Sequence, residues 1–382
     1  DNVESRGLGD VYKRQSRTKT KSHGNWSSNV ALILGKELKQ QPKIIAENLV
    51  KNLPKKKWLE KVEIAGPGFV NFFLTEEAQS FFLKNFLSND LSSFKSKMPR
   101  KILIEYVSSN PTGPIHIGHG RGAAFGSALA NLLRFTGDEV IEEYYINDRG
   151  LQTDVLALSV FLRYQELFKV KVDFPEECYQ GDYIKECAFL AKEKFLDKYL
   201  AKKDLEFTDQ YNPLDLINKI YIVFPKFSEF VDFCIHLQMD QIRGDLSKFK
   251  VHHNNWVSEK DLYKDSDDGS FFEKIIKVLK NNEFTYLQDE ALWFKSREFN
   301  DEKDRVLIRN NQDPTYFASD IAYHKFKFER DFDQLINIWG ADHHGYIPRL
   351  NGALEALDLD SNKLKTLITV SYTHLRAHET PR

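Results

Sequence analysis

The sequence has little of what builds covalent or metal-held frameworks. It contains 3 cysteines in 382 residues. Cys178, Cys187 and Cys234 are scattered and odd in number, which argues against a disulfide framework and for a reducing compartment. No Cys-x-x-Cys pair is present, which disfavours a thiolate zinc site. No His-Glu-x-x-His string is present either, which disfavours a zinc hydrolase. No apolar run reaches the ~18–20 residues that cross a bilayer. The opening stretch is polar and charged, unlike a signal peptide. A cytoplasmic protein without membrane partners is the expectation. Charge of one sign is also missing, with a formal net charge of -2. A dedicated nucleic-acid module carries a basic excess, so any such contact must come from local patches. Two runs are candidates, Lys55, Lys56, Lys57 and Lys95, Lys97, Arg100, Lys101, although each taken alone reads better as a solvated face.

With 41% hydrophobic and 29% charged residues, the chain is globular and long enough for two or three domains. There is no internal repeat. Residues 1–15 lack helical or strand periodicity, residues 371–382 follow apolar Leu367, Ile368 and Val370 without a stop signal, and both stretches resemble translated sequencing-adapter or assembly artefacts. They are set aside, and the natural protein is expected to continue in both directions.

The remainder divides by pattern. A small α+β domain is expected over 16–97. Its first helix covers 27–39, with apolar Val30, Ala31, Leu34 and Leu38. A second helix opens at Pro42 and carries Ile45, Leu49 and Leu53. Strands at 60–64 and 69–74 flank the turn Ala65-Gly66-Pro67-Gly68, and Thr75 suits the N-cap of a third helix. A second domain is expected over 98–370. There, strand 101–107, a polar loop 108–118, a helix to Phe135, strand 140–146 and helix 151–168 form a βαβ unit. That is the seed of a doubly wound parallel sheet, an α/β fold of Rossmann-like type. Residues 169–300 read as a mostly helical insertion. Leu335–Trp339 is a late strand that ends in Gly340-Ala341-Asp342-His343-His344.

The chemistry lies in Ser108-Ser109-Asn110-Pro111-Thr112-Gly113-Pro114-Ile115-His116-Ile117-Gly118-His119-Gly120-Arg121. His116 and His119 share one face of the first turn of a helix. Helix N-termini carry unpaired N–H groups and partial positive charge, so they hold anions. Two imidazoles beside such an end can donate to phosphate oxygens where negative charge develops. Gly118 and Gly120 remove side chains and let a nucleotide approach the backbone.

His-Ile-Gly-His after a strand and Pro-Thr-Gly-Pro resembles the signature of class I aminoacyl-tRNA synthetases. Glu105-Tyr106-Val107-Ser108-Ser109-Asn110 and Tyr144-Tyr145-Ile146-Asn147-Asp148 resemble the arginyl members in particular. So do His23-Gly24-Asn25, Gly66-Pro67-Gly68-Phe69-Val70-Asn71-Phe72, Tyr179-Gln180-Gly181-Asp182-Tyr183, Asp313 to Tyr323 and Trp339 to Tyr346. The resemblance covers roughly residues 20–370. It implies arginine, ATP with Mg²⁺ and tRNA(Arg) as substrates, and an enzyme that is monomeric. It implies that Glu105 and Asp320 are the carboxylates for the guanidinium, with Tyr316 beside the side chain. Ser109, Asn110 and His343 would contact the amino acid. His116, Gly118, His119, Gly340 and Asp342 would hold ATP, with the two histidines catalytic.

The family's second signature, a Lys-Met-Ser-Lys loop, has no matching string; the methionines are Met98 and Met239. The chain by itself is therefore expected to be inactive or nearly so. Three other readings remain open at this point. One is a different adenylyltransferase with a similar His-x-x-His. Another is a metal hydrolase using His116, His119, His343, His344 and Asp342. The third is a non-catalytic RNA-binding protein.

Overall fold

A computed structural model describes residues 15–18, 20–88, 94–201 and 213–369. Apart from Gln15, the terminal stretches set aside above lie outside the described residues. The chain forms two compact units, residues 1–95 and 96–382.

The first unit is α+β. Strands β1 (Gln15–Arg17), β2 (Trp26–Ser28), β3 (Leu59–Ala65) and β4 (Phe69–Leu74) form an antiparallel sheet in the order β1-β2-β4-β3. Helices α1 (Val30–Leu38), α2 (Pro42–Lys51) and α3 (Glu76–Ser88) accompany it. The first helix starts later than its periodicity suggests, because Trp26–Ser28 pairs with β4 instead. Its apolar stripe is also only partly used: Ala31 is fully buried with Ile45, Ala46 and Val70, whereas Leu38 is exposed. The β3–β4 turn needs Gly68, whose φ of 140° lies in a region side chains avoid. Thr75 precedes α3 as expected. Its buried hydroxyl has no partner, however, and its carbonyl accepts from Ala78 N.

The second unit is built on five parallel strands. They are β5 (Lys101–Glu105), β6 (Glu139–Ile146), β7 (Asn255–Ser258), β11 (Gln334–Gly340) and β12 (Leu364–Thr369). The intervening helices are α4 (Ile117–Phe135), α5 (Leu151–Glu166), α6 (Asp182–Phe195), α7 (Pro213–Val223), α8 (Ser228–Lys248) and α9 (Phe271–Asn281). Next come β8 (Thr285–Gln288), β9 (Ala291–Phe294) and β10 (Arg305–Ile308), a separate antiparallel sheet. Helices α10 (Tyr316–Glu329) and α11 (Ile347–Ala356) complete the unit. Ile102, Leu103 and Ile104 are all buried, as a strand covered on both faces requires.

The sheet order is β12-β11-β5-β6-β7, and every pairing is parallel. The chain runs outward from β5 through β6 to β7, then returns to place β11 on the other side of β5. This is the doubly wound order, with its reversal between β5 and β11. Such sheets open a ligand crevice there, beyond the carboxyl ends of the strands.

The expected extent of the helical insertion is corrected by the sheet. Helices α6 to α8 do form an aromatic-rich layer around Phe161, Phe227 and Phe230. But Asn255–Ser258, inside the 169–300 span, is the edge strand of the parallel sheet, and β8–β9 is antiparallel. A strand of four residues has too short a period to stand out from its flanks. The basic run near Arg100 is also reassigned in part. The Arg100 guanidinium pairs with Asp138 at 2.9 Å and ties the start of β5 to the α4–β6 turn.

Candidate functional site

A cleft of about 920 Å³ opens at the reversal point. Its walls come from the end of β5 and the following loop, the start of α4, the end of β6, the first turns of α10, and the end of β11.

The β5 exit is a strained turn. Val107 and Ser108 have φ of 71° and 40°, the left-handed region. For a β-branched residue this is costly and persists only when neighbours enforce it. Here Ser108 Oγ donates to Glu105 Oε1 at 3.0 Å and accepts from Tyr145 N at 3.1 Å. Tyr144 Oη lies 2.8 Å from Ser109 Oγ and donates to the Ser109 carbonyl at 2.9 Å. The loop is therefore fixed to β6. Behind it, Tyr106 packs on α4 at Gly126, where a Cβ would fall 2.3 Å from the ring.

The start of α4 is capped by imidazoles. His116 Nδ1 accepts from Gly118 N at 3.1 Å, and His119 Nδ1 accepts from His116 N at 3.2 Å. A ring that accepts at Nδ1 carries its proton on Nε2. Both residues line the cleft and offer an Nε2–H donor, with ring centroids 4.0 Å apart. Burial, and then the neighbouring His116, lower the pKa of His119, so it favours the neutral form. Gly118 and Gly122 line the cleft with no side chain, while the expected Gly120 is not part of its wall. The helix N-terminus and two aligned donors suit an anion.

The opposite end is acidic. Tyr316 and Asp320 are one turn apart on α10, whose N-cap Thr315 accepts from Ala318 N at 3.4 Å. Asp320 Oδ2 accepts from Tyr346 Oη at 2.5 Å. Burial raises the Asp320 carboxyl to about 7; the Tyr346 hydrogen bond opposes this, and Glu105 and Glu259 add to it. Glu259, just after β7, is buried, and its carboxyl is also raised by burial. Glu105 lies at the end of β5, and its carboxylate is already engaged by Ser108 and by the buried ammonium of Lys327.

Ten of the residues singled out by sequence line this cleft: Glu105, Ser109, Asn110, His116, Gly118, His119, Tyr316, Asp320, Gly340 and His343. The side chain of Asp342 lies outside the described residues. Asn110 does not stand alone: its Nδ2 donates to Gln152 at 2.5 Å, and Asn147 donates to its Oδ1 at 3.1 Å. Sequence reasoning passed over Asn147, Gln152, Tyr346 and Lys327. Tyr346 and Asn147 carried a local hint, because they fall within the quoted Trp339–Tyr346 and Tyr144–Asp148 strings. Two wall atoms, Tyr145 Oη and Asn147 Oδ1, have no hydrogen-bond partner, a capacity that a polar ligand can satisfy.

A doubly wound sheet with an imidazole-capped helix at its reversal point and a strained loop beside it is the arrangement that the resemblance to class I synthetases implies. Comparison with known proteins is consistent with that class. Residues 82–366 match the model for tRNA synthetases class I (R), catalytic domain, and residues 11–74 match the arginyl tRNA synthetase N terminal domain. The chain belongs to the arginyl class I tRNA synthetase family.

It is 43% identical over 376 residues to an arginine--tRNA ligase of Nitrosospira multiformis, covering 95% of this chain and 64% of that protein. An arginine--tRNA ligase of Legionella pneumophila is 41% identical, with 94% and 63% covered. The chain thus spans slightly under two thirds of the length of these curated relatives. A Campylobacter jejuni structure, assigned provisionally as an arginyl-tRNA synthetase, superposes with TM-score 0.61 at 35% identity, covering 77% of this chain and 59% of that one. The arginyl-tRNA synthetase of Thermus thermophilus shares the fold, with TM-score 0.61 at 20% identity, covering 93% and 62%.

Proposed function

We propose that this chain carries the arginine- and ATP-binding cleft of an arginine-tRNA ligase. The supporting observation is the polarity of the cleft. It has neutral donors and a helix N-terminus at one end, and at the other a carboxylate, Asp320, one turn from Tyr316. A molecule bridging the two ends presents phosphate to the first and a cation to the second. Arginine joined to ATP has that arrangement, because guanidinium is planar and always charged and a carboxylate can take it in two parallel hydrogen bonds.

In the proposed reaction the arginine carboxylate attacks the α-phosphorus of ATP, and pyrophosphate leaves. A hydroxyl of the terminal ribose of tRNA then attacks the adenylate's carbonyl carbon, forming the ester as AMP leaves. The Nε2–H donors of His116 and His119 face the charge that builds on the phosphate. Asp320 and Tyr316 fix the guanidinium, and Ser109, Asn110 and His343 the rest of the amino acid. Gly340 and Asp342 adjoin the adenosine. Most of the rate comes from holding carboxylate and phosphorus in line. Among the described residues, no group of three or more His, Cys, Asp or Glu is gathered for a metal. The Mg²⁺ that accompanies ATP would take its ligands mainly from phosphates and water. We assign the first unit to contact with tRNA(Arg), and the cytoplasm as the location.

The test is exchange of labelled pyrophosphate into ATP with tRNA present. A polypeptide that carries this cleft and a lysine-rich loop after β12 is expected to exchange with arginine and not with lysine or glutamate. Exchange driven by another amino acid overturns the assignment. The 382 residues by themselves have no Lys-Met-Ser-Lys string. They are expected to bind both ligands but to exchange at least ~100-fold more slowly, the scale of losing a transition-state donor. A robust rate from this chain would overturn that expectation.

A further inference from the structure

The string Tyr179-Gln180-Gly181-Asp182-Tyr183 lines no part of the cleft. It leads into α6, whose first turn holds Tyr183. The Tyr183 hydroxyl donates to the Thr112 carbonyl at 2.9 Å, across 71 residues of chain. Burial, and then Tyr179 and Cys187, push the phenol up to about 12, so it stays protonated and donates near neutrality. Thr112 lies in the loop between β5 and α4, four residues before His116. Two glycines make room for the tyrosine. A Cβ on Gly181 would fall 2.4 Å from the Tyr183 ring, and one on Gly113 would fall 3.0 Å from its hydroxyl and 3.1 Å from Cζ. Neither glycine has a φ in the left-handed region, so the backbone itself would accept alanine at both. The same tyrosine crowds out a side chain at each.

The β5–α4 loop is held in two halves. Its first half is bound to β6 and α5: Ser108 and Ser109 to Tyr145 and Tyr144, and Asn110 to Asn147 and Gln152. Its second half runs from Pro111 to Ile115 and ends at the His116 cap. There the Tyr183 hydroxyl supplies a side-chain anchor. That anchor is itself tied back to α5, because Tyr179 N donates to Ser159 Oγ at 2.9 Å and Ser159 Oγ donates to the Val155 carbonyl at 2.6 Å. One helix, α5, thus braces both halves, the first through Gln152 and the second through Ser159 and the Tyr179–Tyr183 segment. Between Thr112 and His116 lie Gly113, Pro114 and Ile115. Pro114 has a fixed φ, and Ile115 packs on the main core. A displacement at Thr112 therefore has little slack to absorb it before it reaches the imidazole.

We propose that Tyr183 is a positioning residue for His116: by anchoring the Thr112 carbonyl it sets where the loop delivers that imidazole to the cleft. The proposal rests on the phosphate reading of the imidazole end and deepens it, since His116 then depends on a residue that lines no part of the cleft. It also makes α6, from the aromatic-rich helical layer, part of what places the histidine. Asn110 has its own anchors in Asn147 and Gln152, so the contacts to the amino acid keep their geometry when Tyr183 is altered. A misplacement of the imidazole by about 1 Å is enough to cost ~100-fold in rate.

The experiment uses Tyr183→Phe, which removes the anchoring hydroxyl, Gly113→Ala, which pushes the loop off it, and the two combined. Folding is checked by circular dichroism. ATP and arginine affinities are measured by titration calorimetry, and the His116 ring is followed by imidazole nitrogen NMR. Tyr183→Phe is expected to lose ~3–10-fold in ATP affinity, the scale of one hydrogen bond. Gly113→Ala is expected to lose ~10–100-fold in ATP affinity through displacement of the imidazole. Both should shift the His116 signals and leave arginine affinity within ~3-fold, as for independent sites. The hydroxyl is the atom that the new Cβ meets first, so the double variant should lose no more than Gly113→Ala alone. A folded Tyr183→Phe protein with unchanged ATP affinity and unchanged His116 signals overturns the proposal. So do equal losses for ATP and arginine, which mark a general structural role, and a double variant that loses the product of the two single losses. If Tyr183→Phe does not fold, Gly113→Ala with unchanged His116 signals overturns it. If the unsubstituted chain binds no ATP, the phosphate reading of the cleft fails. The His116 signals then still decide on Tyr183: a shift in Tyr183→Phe supports it and no shift overturns it.

Discussion

The two ends of the cleft are held together in opposite ways. At the imidazole end, the contacts that fix the geometry span two or three residues: Gly118 N to His116, and His116 N to His119. At the acidic end they span long stretches of chain: Lys327 to Glu105 across 222 residues, and Tyr346 to Asp320 across 26. The first end is a motif in the sequence sense, complete within one helical turn. The second is assembled by the sheet order, which brings β5 beside β11 and lays α10 over both. A local device can be recognised from a string. An assembled one can be recognised only by its parts, and its internal partners are not visible in them.

If the two ends are as separate as this comparison says, substitutions should divide cleanly between ligands. The largest effect is expected for Asp320→Asn. It removes the charge opposite the guanidinium, and arginine affinity should fall by ~100-fold or more, with ATP affinity within ~3-fold by fluorescence or calorimetry. A comparable loss for both ligands would mean that the ends are coupled. His119→Ala is the reciprocal case. ATP-dependent adenylate formation should fall ~10–100-fold in a polypeptide competent for exchange, with arginine affinity nearly unchanged. The smallest effect belongs to Tyr346→Phe. It keeps the ring and removes the donor to Asp320, so arginine affinity should fall ~3–10-fold. The Asp320 titration should rise, because that hydrogen bond favours the ionised form.

The same contrast explains what could be read in advance. The βαβ unit from Lys101 to Ile146 was legible because strand and helix periods alternate there with a Gly/Pro loop between them. The His116–His119 end was legible for the same reason. Strand β7 was not, since four residues between helix and loop leave no period to detect. Asp320 and Tyr316 could be placed on one helix face by spacing. That Glu105 is already occupied could not be foreseen, because Lys327 in His324-Lys325-Phe326-Lys327 reads as one more solvated helix lysine. Its burial follows from β11 packing beside β5, a consequence of topology rather than of neighbouring residues.

Asp320 is the carboxylate proposed to receive the guanidinium, and the most direct measurement is arginine affinity as a function of pH, taken by calorimetry in buffers of different ionisation heat. The carboxyl titrates at about 7 in the free protein and is protonated below that value. Guanidinium binds the ionised form, so binding should expel a proton near neutrality. Affinity should then rise with pH through about 7, by up to ~10-fold per unit below it, and level off above. In Asp320→Asn the residual binding should lose both the proton release and the slope. Arginine binding that is flat from pH ~6 to ~8 without proton release, or that survives Asp320→Asn unchanged, would contradict the assignment.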